Sequence, residues 1–215
     1  MQAVLSNLGF FLRAFVTTLE LTALAAIVAF VLGVVIAAMR VSPIPPLQWA
    51  GATYVRLVRN TPLTVVFFLV TFGLPDVGIK LSFFGFAVAA LSIYTASFVA
   101  EAVRSGINAV PVGQAEAARS VGLTFPQTLR IVVLPQALRT VIPPLASIYI
   151  ALLKNSSIAM AFGVTEAMGA TKVLVNQHAS QSLQIFAVAA VGYLILALLL
   201  GWLSSWTERK LRIAR

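Results

Sequence analysis

Residues 154–157 form a polar cluster inside an apolar part of the sequence. The cluster consists of Lys154, Asn155, Ser156 and Ser157. An ammonium group flanked by amide and hydroxyl groups can bind a carboxylate, so these residues are candidates for lining a path for a carboxylate-bearing molecule. Two other interpretations stay open, because Lys154 can extend toward an aqueous surface or pair with Glu166.

A second charged group consists of Glu101 and Arg104 in another largely apolar segment. Residues three positions apart share one face of a helix, so the spacing predicts an ion pair. We expect this pair to be structural or to act in gating. Contact with a substrate is the alternative.

The longest polar run, residues 116–135, contains start and stop signals that predict two short helices. Gly122 suits the left-handed position that ends a helix, and Thr124 with Gln127 has the spacing of a capping box. Pro135 is predicted to stop the second helix. The stretch is either a loop lying at the membrane surface or a compact docking surface for a soluble partner.

The sequence contains no recognisable set of catalytic residues. The chain contains no cysteine, so it has no disulfide and no thiolate nucleophile or metal ligand. No paired carboxylates, serine–histidine–aspartate set or metal-ligating cluster is recognisable. A G-x4-G-K-[ST] phosphate loop is also missing. We therefore expect the chain to be non-catalytic and to bind no cofactor or metal itself.

The elements that carry these residues are predicted to be membrane helices. Hydrophobic residues make up 60% of the 215 residues, charged residues only 10%, and the mean hydropathy is +0.98. A soluble domain usually contains about 25% charged residues. The formal charge of +9 fits basic residues flanking membrane spans, so we expect no nucleic-acid partner.

The apolar segments predict a single all-α membrane domain with about five spans. A spanning helix needs roughly 20 largely apolar residues. The second segment is short, and we expect Arg56 and Arg59 to lengthen it backward by extending to the interface. The fourth contains Pro143 and Pro144, and it is long enough if its helix continues through Lys154 to about Phe162. The predicted spans are 14–39, 57–75, 81–103, 137–162 and 181–206.

The distribution of basic residues predicts the orientation. With five spans and the basic tail (209–215) inside, eleven basic residues lie inside and three outside. With four spans, six basic residues lie inside and eight outside. Lys154 is counted on neither side in either arrangement. The positive-inside rule therefore favours five spans with the N-terminus outside and the C-terminus inside. The loop at 105–135, between the third and fourth spans, then faces the cytoplasm.

The polar loop contains a motif that resembles the EAA signature of ABC importer permeases. The pattern E-A-A-x3-G-x9-[I/V]-x-L-P is filled by Glu116, Ala117, Ala118, Gly122, Val132, Leu134 and Pro135. Further segments are similar to the polar amino acid branch of that family, and especially to glutamate-type permeases of actinobacteria. These segments are VRNTPLT (58–64), YTASFVAEAVRSGIN (94–108), GQAEAARSVGL (113–123), LPQALRTVIPPL (134–145) and LLKNSSIAMAFGVTEA (152–167).

The resemblance implies a permease that is driven by a separate ATPase. In such importers the EAA loop is a coupling helix that docks on a cytoplasmic ATPase subunit, which holds ATP and Mg. The implied coupling residues here are Gln114, Glu116, Ala117, Ala118, Arg119, Gly122 and Pro135. The implied partners are two ATPase copies, a second permease that is identical or a sister chain, and an external solute-binding protein that meets the loop at 163–179.

The transported molecule is expected to be a polar amino acid, with glutamate as the first hypothesis. An aspartate is frequent in the family where Asn155 stands, and its absence weakens the case for a cationic substrate. Glu166 is included with residues 154–157 in the candidate pathway. The alternative functions are a membrane scaffold with a docking loop and a subunit of a secondary carrier, although the charge-free central runs of the predicted spans, such as 21–39 and 81–100, offer no acidic residue for ion coupling.

Overall fold

The computed structural model describes residues 2–211 of the chain and the side chains of residues 3–207, and this part of the chain is helical without strands. In chain order the helices are α1 (Gln2–Ser6), α2 (Leu8–Val41), α3 (Pro45–Arg59), α4 (Leu63–Asp76), α5 (Phe83–Asn108), α6 (Val112–Ser120), α7 (Phe125–Phe162), α8 (Ala167–Gln177) and α9 (Ser182–Leu211).

The prediction of an all-α membrane protein with about five spans is confirmed. Four segments within the described residues are long and apolar enough to cross a membrane, and α3 with α4 makes a fifth if the bent pair counts as one span. The first of them, α2, begins at Leu8, earlier than position 14. The orientation stays a prediction, and the side chains of the basic tail on which it partly depends lie outside the described residues.

The second span departs from the prediction because α3 and α4 meet at an angle of 108°. Helix α3 ends at Arg59 and α4 begins at Leu63, so the expected backward extension through Arg56 and Arg59 is wrong. Pro62 is extended, with φ −57° and ψ 138°, and a proline also moves the preceding residue, Thr61, away from helical angles. Helix α3 is therefore a separate element that carries both arginines.

The fourth span is continuous through its prolines, and the prediction that Pro135 stops a short helix is wrong. A π-helical segment, Thr128–Val133, lies directly before Pro135, and the Leu134 N–H donates to the Leu129 carbonyl five residues back. The wider turn shifts the hydrogen-bond ladder where the proline ring enters the helix. As predicted, the helix continues through Lys154 to Phe162, where Gly163 ends it with φ +84°.

Helix α5 lies at the centre of the fold and packs against α2, α3, α4 and α7. Small residues let the helices approach closely, as is typical of membrane helix pairs. A Cβ at Gly33 of α2 would lie 2.5 Å from a methyl carbon of Val99 on α5. Near the same end, Ala37 of α2, Val55 of α3 and Ala100 of α5 form a buried cluster that joins three helices.

Candidate functional site

The small cluster of Ala37, Val55 and Ala100 brings four charged residues together. Arg40 and Arg59 follow the cluster residues by about one helical turn, and Glu101 follows Ala100 directly. Glu101 Oε2 lies 2.6 Å from Arg40 Nη1 and 3.7 Å from Arg59 Nη1, and Oε1 lies 2.5 Å from Arg104 Nη2. The predicted pair of Glu101 and Arg104 is therefore part of a four-residue group that links α2, α3 and α5.

A groove between α5 and α7 extends from this charged group toward the polar cluster at 154–157. The two helices run antiparallel, so positions 94 to 109 of α5 face positions 155 to 140 of α7. Three cavities share this part of the molecule, with Phe98 in the wall of each. The groove therefore has an amide-lined end at Asn155, and Arg59 and Glu101 line its wall beyond Phe98.

We call the cavity at the amide-lined end the amide cavity. Its volume is about 340 Å³, and its wall is largely apolar, with polar groups from Tyr94, Thr95, Ser147 and Asn155. We call the cavity that α2, α3 and α5 form beside Phe98 the arginine cavity. Its volume is about 440 Å³, and its polar lining comes from Arg40, Arg56, Arg59, Asn60 and Glu101.

The four residues at 154–157 do not share one environment. Asn155 lines the amide cavity, while the Lys154 side chain is exposed. Ser156 is fully buried and donates to the Leu153 carbonyl at 2.7 Å, and Ser157 donates to the Lys154 carbonyl at 2.7 Å. Of the four, Asn155 is therefore the one whose side chain lies in the groove wall.

Glu166 is fully buried at the start of α8, where it joins three helices. Its Oε1 accepts from the Gly169 N–H at 2.9 Å, and its Oε2 accepts from the Met168 N–H at 3.0 Å and the Tyr193 hydroxyl at 2.6 Å. The Thr18 hydroxyl lies 3.5 Å from the same Oε2. This carboxyl therefore connects α2, α8 and α9.

Burial raises the pKa of the Glu166 carboxyl above its usual range, although its hydrogen bonds oppose the shift. The interpretation that Lys154 pairs with Glu166 is wrong, because no ion pair joins them among the described side chains. Glu166 also lies outside the lining of the amide cavity.

The EAA stretch forms the exposed helix α6, which ends as the sequence predicts. Gly122 adopts φ +91°, and the Gly122 and Leu123 N–H groups donate to the Arg119 and Ala118 carbonyls at 3.0 and 3.1 Å. This pair of bonds is a Schellman cap. The next turn begins as predicted, with the Thr124 N–H donating to Gln127 Oε1 at 2.9 Å.

Most of the predicted coupling residues face solvent. Gln114, Glu116, Ala117 and Arg119 are exposed, whereas Ala118 is buried where α6 packs against the start of α7. The Glu116 carboxylate makes no ion pair among the described side chains. Apolar side chains are exposed beside it, notably Val112, Val121 and Phe125. Pro135 lies further along, within α7.

Sequence reasoning missed several residues that the tertiary structure places in these sites. Arg40 entered only the count of basic residues that predicts the orientation, Arg59 was expected to extend to the interface, and Phe98, Thr18 and Tyr193 were given no role. Their partners are distant in sequence, for example 61 positions between Arg40 and Glu101. A signal for Phe98 was present, because positions 94, 98, 101 and 105 share one face of a helix.

The described residues contain no group of three or more histidine, aspartate or glutamate side chains that could hold a metal ion. The charged groups instead consist of arginines around one carboxylate. Such a group is suited to binding anions and to holding helices together.

Comparison with known proteins assigns the chain to a family. Residues 29–213 match the model of the family described as "Binding-protein-dependent transport system inner membrane component". The glutamate transport system permease protein GluC of Corynebacterium glutamicum is 44% identical over 202 residues, covering 88% of this chain and 89% of that protein. The probable glutamine ABC transporter permease protein GlnM of Bacillus subtilis is 39% identical over 205 residues, covering 95% and 94%.

Solved structures agree with these sequence relatives. The crystal structure of an amino acid ABC transporter with histidines matches with a TM-score of 0.90 and 32% identity, covering 97% of both chains. An inward-facing form of the MetNI methionine ABC transporter matches with a TM-score of 0.80 at 22% identity, a level that supports the fold alone. The predicted resemblance to polar amino acid permeases is confirmed.

Proposed function

The chain belongs to the family of binding-protein-dependent transport system inner membrane components, and we propose that it is the permease subunit of an ATP-driven importer of a polar amino acid. The observation that carries this proposal is the exposed helix α6, whose Glu116 carboxylate has no ion-pair partner among the described side chains. A charged and apolar surface of this kind on a membrane protein is suited to a soluble partner.

We assign that partner as an ATPase subunit docked on α6. Gln114, Glu116 and Arg119 offer polar contacts, and Ala117 permits close approach of the partner's backbone. Gly122 holds the corner that sets the angle between α6 and α7, and Pro135 lies in the helix that receives the movement. ATP and Mg belong to the ATPase, and closure of two such subunits moves a pair of permeases between outward-facing and inward-facing states.

The substrate path in this proposal is the groove between α5 and α7. Asn155 contributes an amide to its wall, and Lys154 and Ser157 lie at the same end of α7. Ser156 and Glu166 are buried, so we assign them to holding the wall in place. Ligand pockets are usually apolar with a few placed polar groups, and the amide and hydroxyl groups of this cavity can orient an amino acid in that way.

A second permease, either identical or a sister chain, is proposed to cover the groove. Thr140 and Ser147 of α7 are exposed in this chain although they lie within a span. Polar residues in a span usually face a protein or a water-filled path. The complex would also include an external solute-binding protein that delivers substrate near the loop containing Glu166.

Glutamate is the proposed substrate to test first. The relative with 44% identity is named as a glutamate permease and the one with 39% identity as a probable glutamine permease. An acidic or neutral substrate also fits the amide at Asn155, since no carboxylate stands there to receive an additional ammonium group.

The test uses vesicles that contain the permease with its partner ATPase and a glutamate-loaded binding protein. We expect labelled glutamate to accumulate only with ATP. Both Glu116→Ala and Gly122→Asp should abolish uptake while the protein still inserts. The first removes one partner of a buried interface charge, which costs about 2–5 kcal/mol. The second places a side chain at a corner with φ +91°, a conformation that favours glycine. Glu20→Ala, at an exposed glutamate on α2, is the matched control and should transport normally.

Three outcomes would contradict the proposal in different ways. Uptake driven by an ion gradient without ATP would identify a secondary carrier. Binding of a soluble protein without any uptake would identify a scaffold. Normal uptake by both α6 variants would show that this helix does not couple the permease to an ATPase.

A further inference from the structure

The arginine cavity contains more positive charge than its carboxylate can balance. Three arginines line it, Arg40, Arg56 and Arg59, with Glu101 as the acidic residue in the lining. Arg104 also contacts Glu101 from outside this cavity. Arg40 and Arg104 each contact one carboxylate oxygen of Glu101 at short distance. The single negative charge of Glu101 is therefore already paired with two arginines, and it cannot also neutralise Arg59.

Arg59 is the least tightly held of the arginines that contact Glu101. Its Nη1 lies 3.7 Å from Glu101 Oε2, beyond ordinary hydrogen-bond distance, and its side chain is 40% exposed. The guanidinium carbon lies 5.1 Å from the centre of the Phe98 ring, which is a cation–π contact. The Phe98 ring therefore positions Arg59, and most of the guanidinium's donors remain available.

Phe98 also connects this arginine to the proposed substrate path. Its ring borders the amide cavity and the arginine cavity, as well as a third cavity along the groove, which Arg59 and Glu101 also line. Tyr94, one turn away, packs against the same ring with centroids 5.1 Å apart. A molecule that leaves the amide cavity along the groove reaches Phe98 first and Arg59 next.

We propose that the arginine cavity is an anion-binding station on the substrate path, in which Arg59 takes a carboxylate of an acidic amino acid as it passes Phe98. This inference rests on the proposed function. The incoming carboxylate replaces the long contact to Glu101, while Arg40 and Arg104 keep Glu101 in place. A neutral amide side chain offers no second negative charge, so the station favours acidic over neutral substrates.

The wild-type complex allows a direct test with phenylglyoxal, which modifies arginine side chains. The permease with its ATPase is treated in phosphatidylcholine vesicles, and modification of each arginine is followed by mass spectrometry. We expect millimolar glutamate to slow modification of Arg59 several-fold and glutamine to have little effect. Arg13, an exposed arginine far from the cavity, is the internal control and should react equally in all samples.

Each of the contrary outcomes of this experiment overturns the inference. Equal protection by glutamine and glutamate would show that the charge is not recognised, and absence of protection would show that no carboxylate binds there. Protection by added phosphatidylglycerol without glutamate would assign the cavity to an anionic lipid headgroup.

A variant supplies the functional readout. Arg59→Gln should lower glutamate uptake per ATP hydrolysed by about tenfold or more, as expected for loss of one charge-assisted hydrogen bond. Binding-protein-stimulated ATP hydrolysis should stay near the wild-type rate, and Arg59→Lys should restore part of the uptake. Arg13→Gln is the matched control. Parallel loss of uptake and ATP hydrolysis would indicate a merely structural arginine and overturn the inference.

The two proposals fail separately. If the wild-type complex shows no ATP-dependent uptake of any polar amino acid, the proposed function is wrong. If uptake is normal but Arg59 is neither protected by glutamate nor needed for uptake per ATP, the proposed function stands and the anion station is wrong. Should Arg59→Gln fail to fold, the protection experiment on the wild-type complex decides the question.

Discussion

At the scale of single residues, Glu166 shows how a buried carboxyl can join distant segments. It receives two backbone N–H groups at the start of α8 and the hydroxyl of Tyr193 from α9. The Thr18 hydroxyl of α2 accepts from the Ala167 N–H beside it at 3.0 Å. A buried polar group without a hydrogen bond destabilises the folded state, so removing any one of these partners would leave others unpaired.

The raised pKa of Glu166 predicts a specific pH dependence of stability. A folded-state pKa above the unfolded value, about 4.5, means that the folded state favours the protonated form. This contribution is fully present below the unfolded pKa and is lost as the pH rises through the folded pKa. We expect the unfolding free energy in detergent to fall over that interval in the wild type and to change less in Glu166→Gln.

The matched control for this prediction is Glu20→Gln, because Glu20 is exposed on α2. It should keep the pH dependence of the wild type. An unchanged pH profile in Glu166→Gln would mean that Glu166 titrates alike in the folded and unfolded states.

At the scale of helices, close packing between α5 and α7 depends on Gly106. A Cβ at this position would lie 2.1 Å from a methyl carbon of the buried Val141, and the Gly106 carbonyl accepts from the Thr140 hydroxyl at 3.3 Å. These contacts set the separation of the two helices that form the groove. A larger residue there must push the helices apart or distort them.

We therefore predict that Gly106→Ala destabilises the protein by about 1–3 kcal/mol, the usual cost of overpacking. Thermal unfolding in detergent micelles measures this change. Gly9→Ala is the matched control, since a Cβ at Gly9 meets no atom within 4 Å, and it should be neutral or slightly stabilising. Equal melting temperatures for the two variants would show that Val141 gives way without cost.

At the scale of the whole molecule, the groove between α5 and α7, which is the proposed substrate path, is open on one side. Phe98 is partly exposed, and Thr140, Pro144 and Ser147 on α7 are exposed, so one side of the groove lacks a wall in this chain. Lipid is a poor cover for the exposed Ser147 hydroxyl, because hydrocarbon offers no hydrogen bonds. A second permease with a similar groove would close the path.

We predict that a photo-crosslinking benzoylphenylalanine in place of Ser147 captures a second permease chain in the assembled complex. Mass spectrometry of the product distinguishes an identical copy from a sister chain. The same residue in place of Val35, an exposed position on α2, should give no permease product. Capture from position 35 but not from 147 would place the interface on α2 and contradict the proposed path.

Much of the fold could be predicted from the sequence because the bilayer restricts the choices. Only helices and closed barrels satisfy every backbone group in hydrocarbon, so long apolar runs such as residues 21–39 predicted spans directly. The end of α6 was also predicted correctly, because the left-handed conformation that follows a helix favours a glycine such as Gly122. The exposed surface of α6 followed from its polar composition.

Other features were decided by tertiary structure. Pro135 was predicted to end a helix because proline lacks an N–H, yet a π-helical segment before it lets α7 continue. The bend between α3 and α4 and the use of Glu166 as a helix cap likewise depend on neighbouring elements. In each of these cases a local signal was correct about the constraint, and packing determined how the chain met it.

By itself, the sequence determined the class of protein, the approximate spans, the α6 turn and the resemblance to polar amino acid permeases, since these depend on composition and local spacing. The tertiary structure alone decided that Arg40, Arg59 and Glu101 meet, that Phe98 borders three cavities and that Glu166 is bonded to Tyr193. The physical reason is distance along the chain. Partners separated by 27 to 61 positions leave no periodic signal, and only helix packing brings them together.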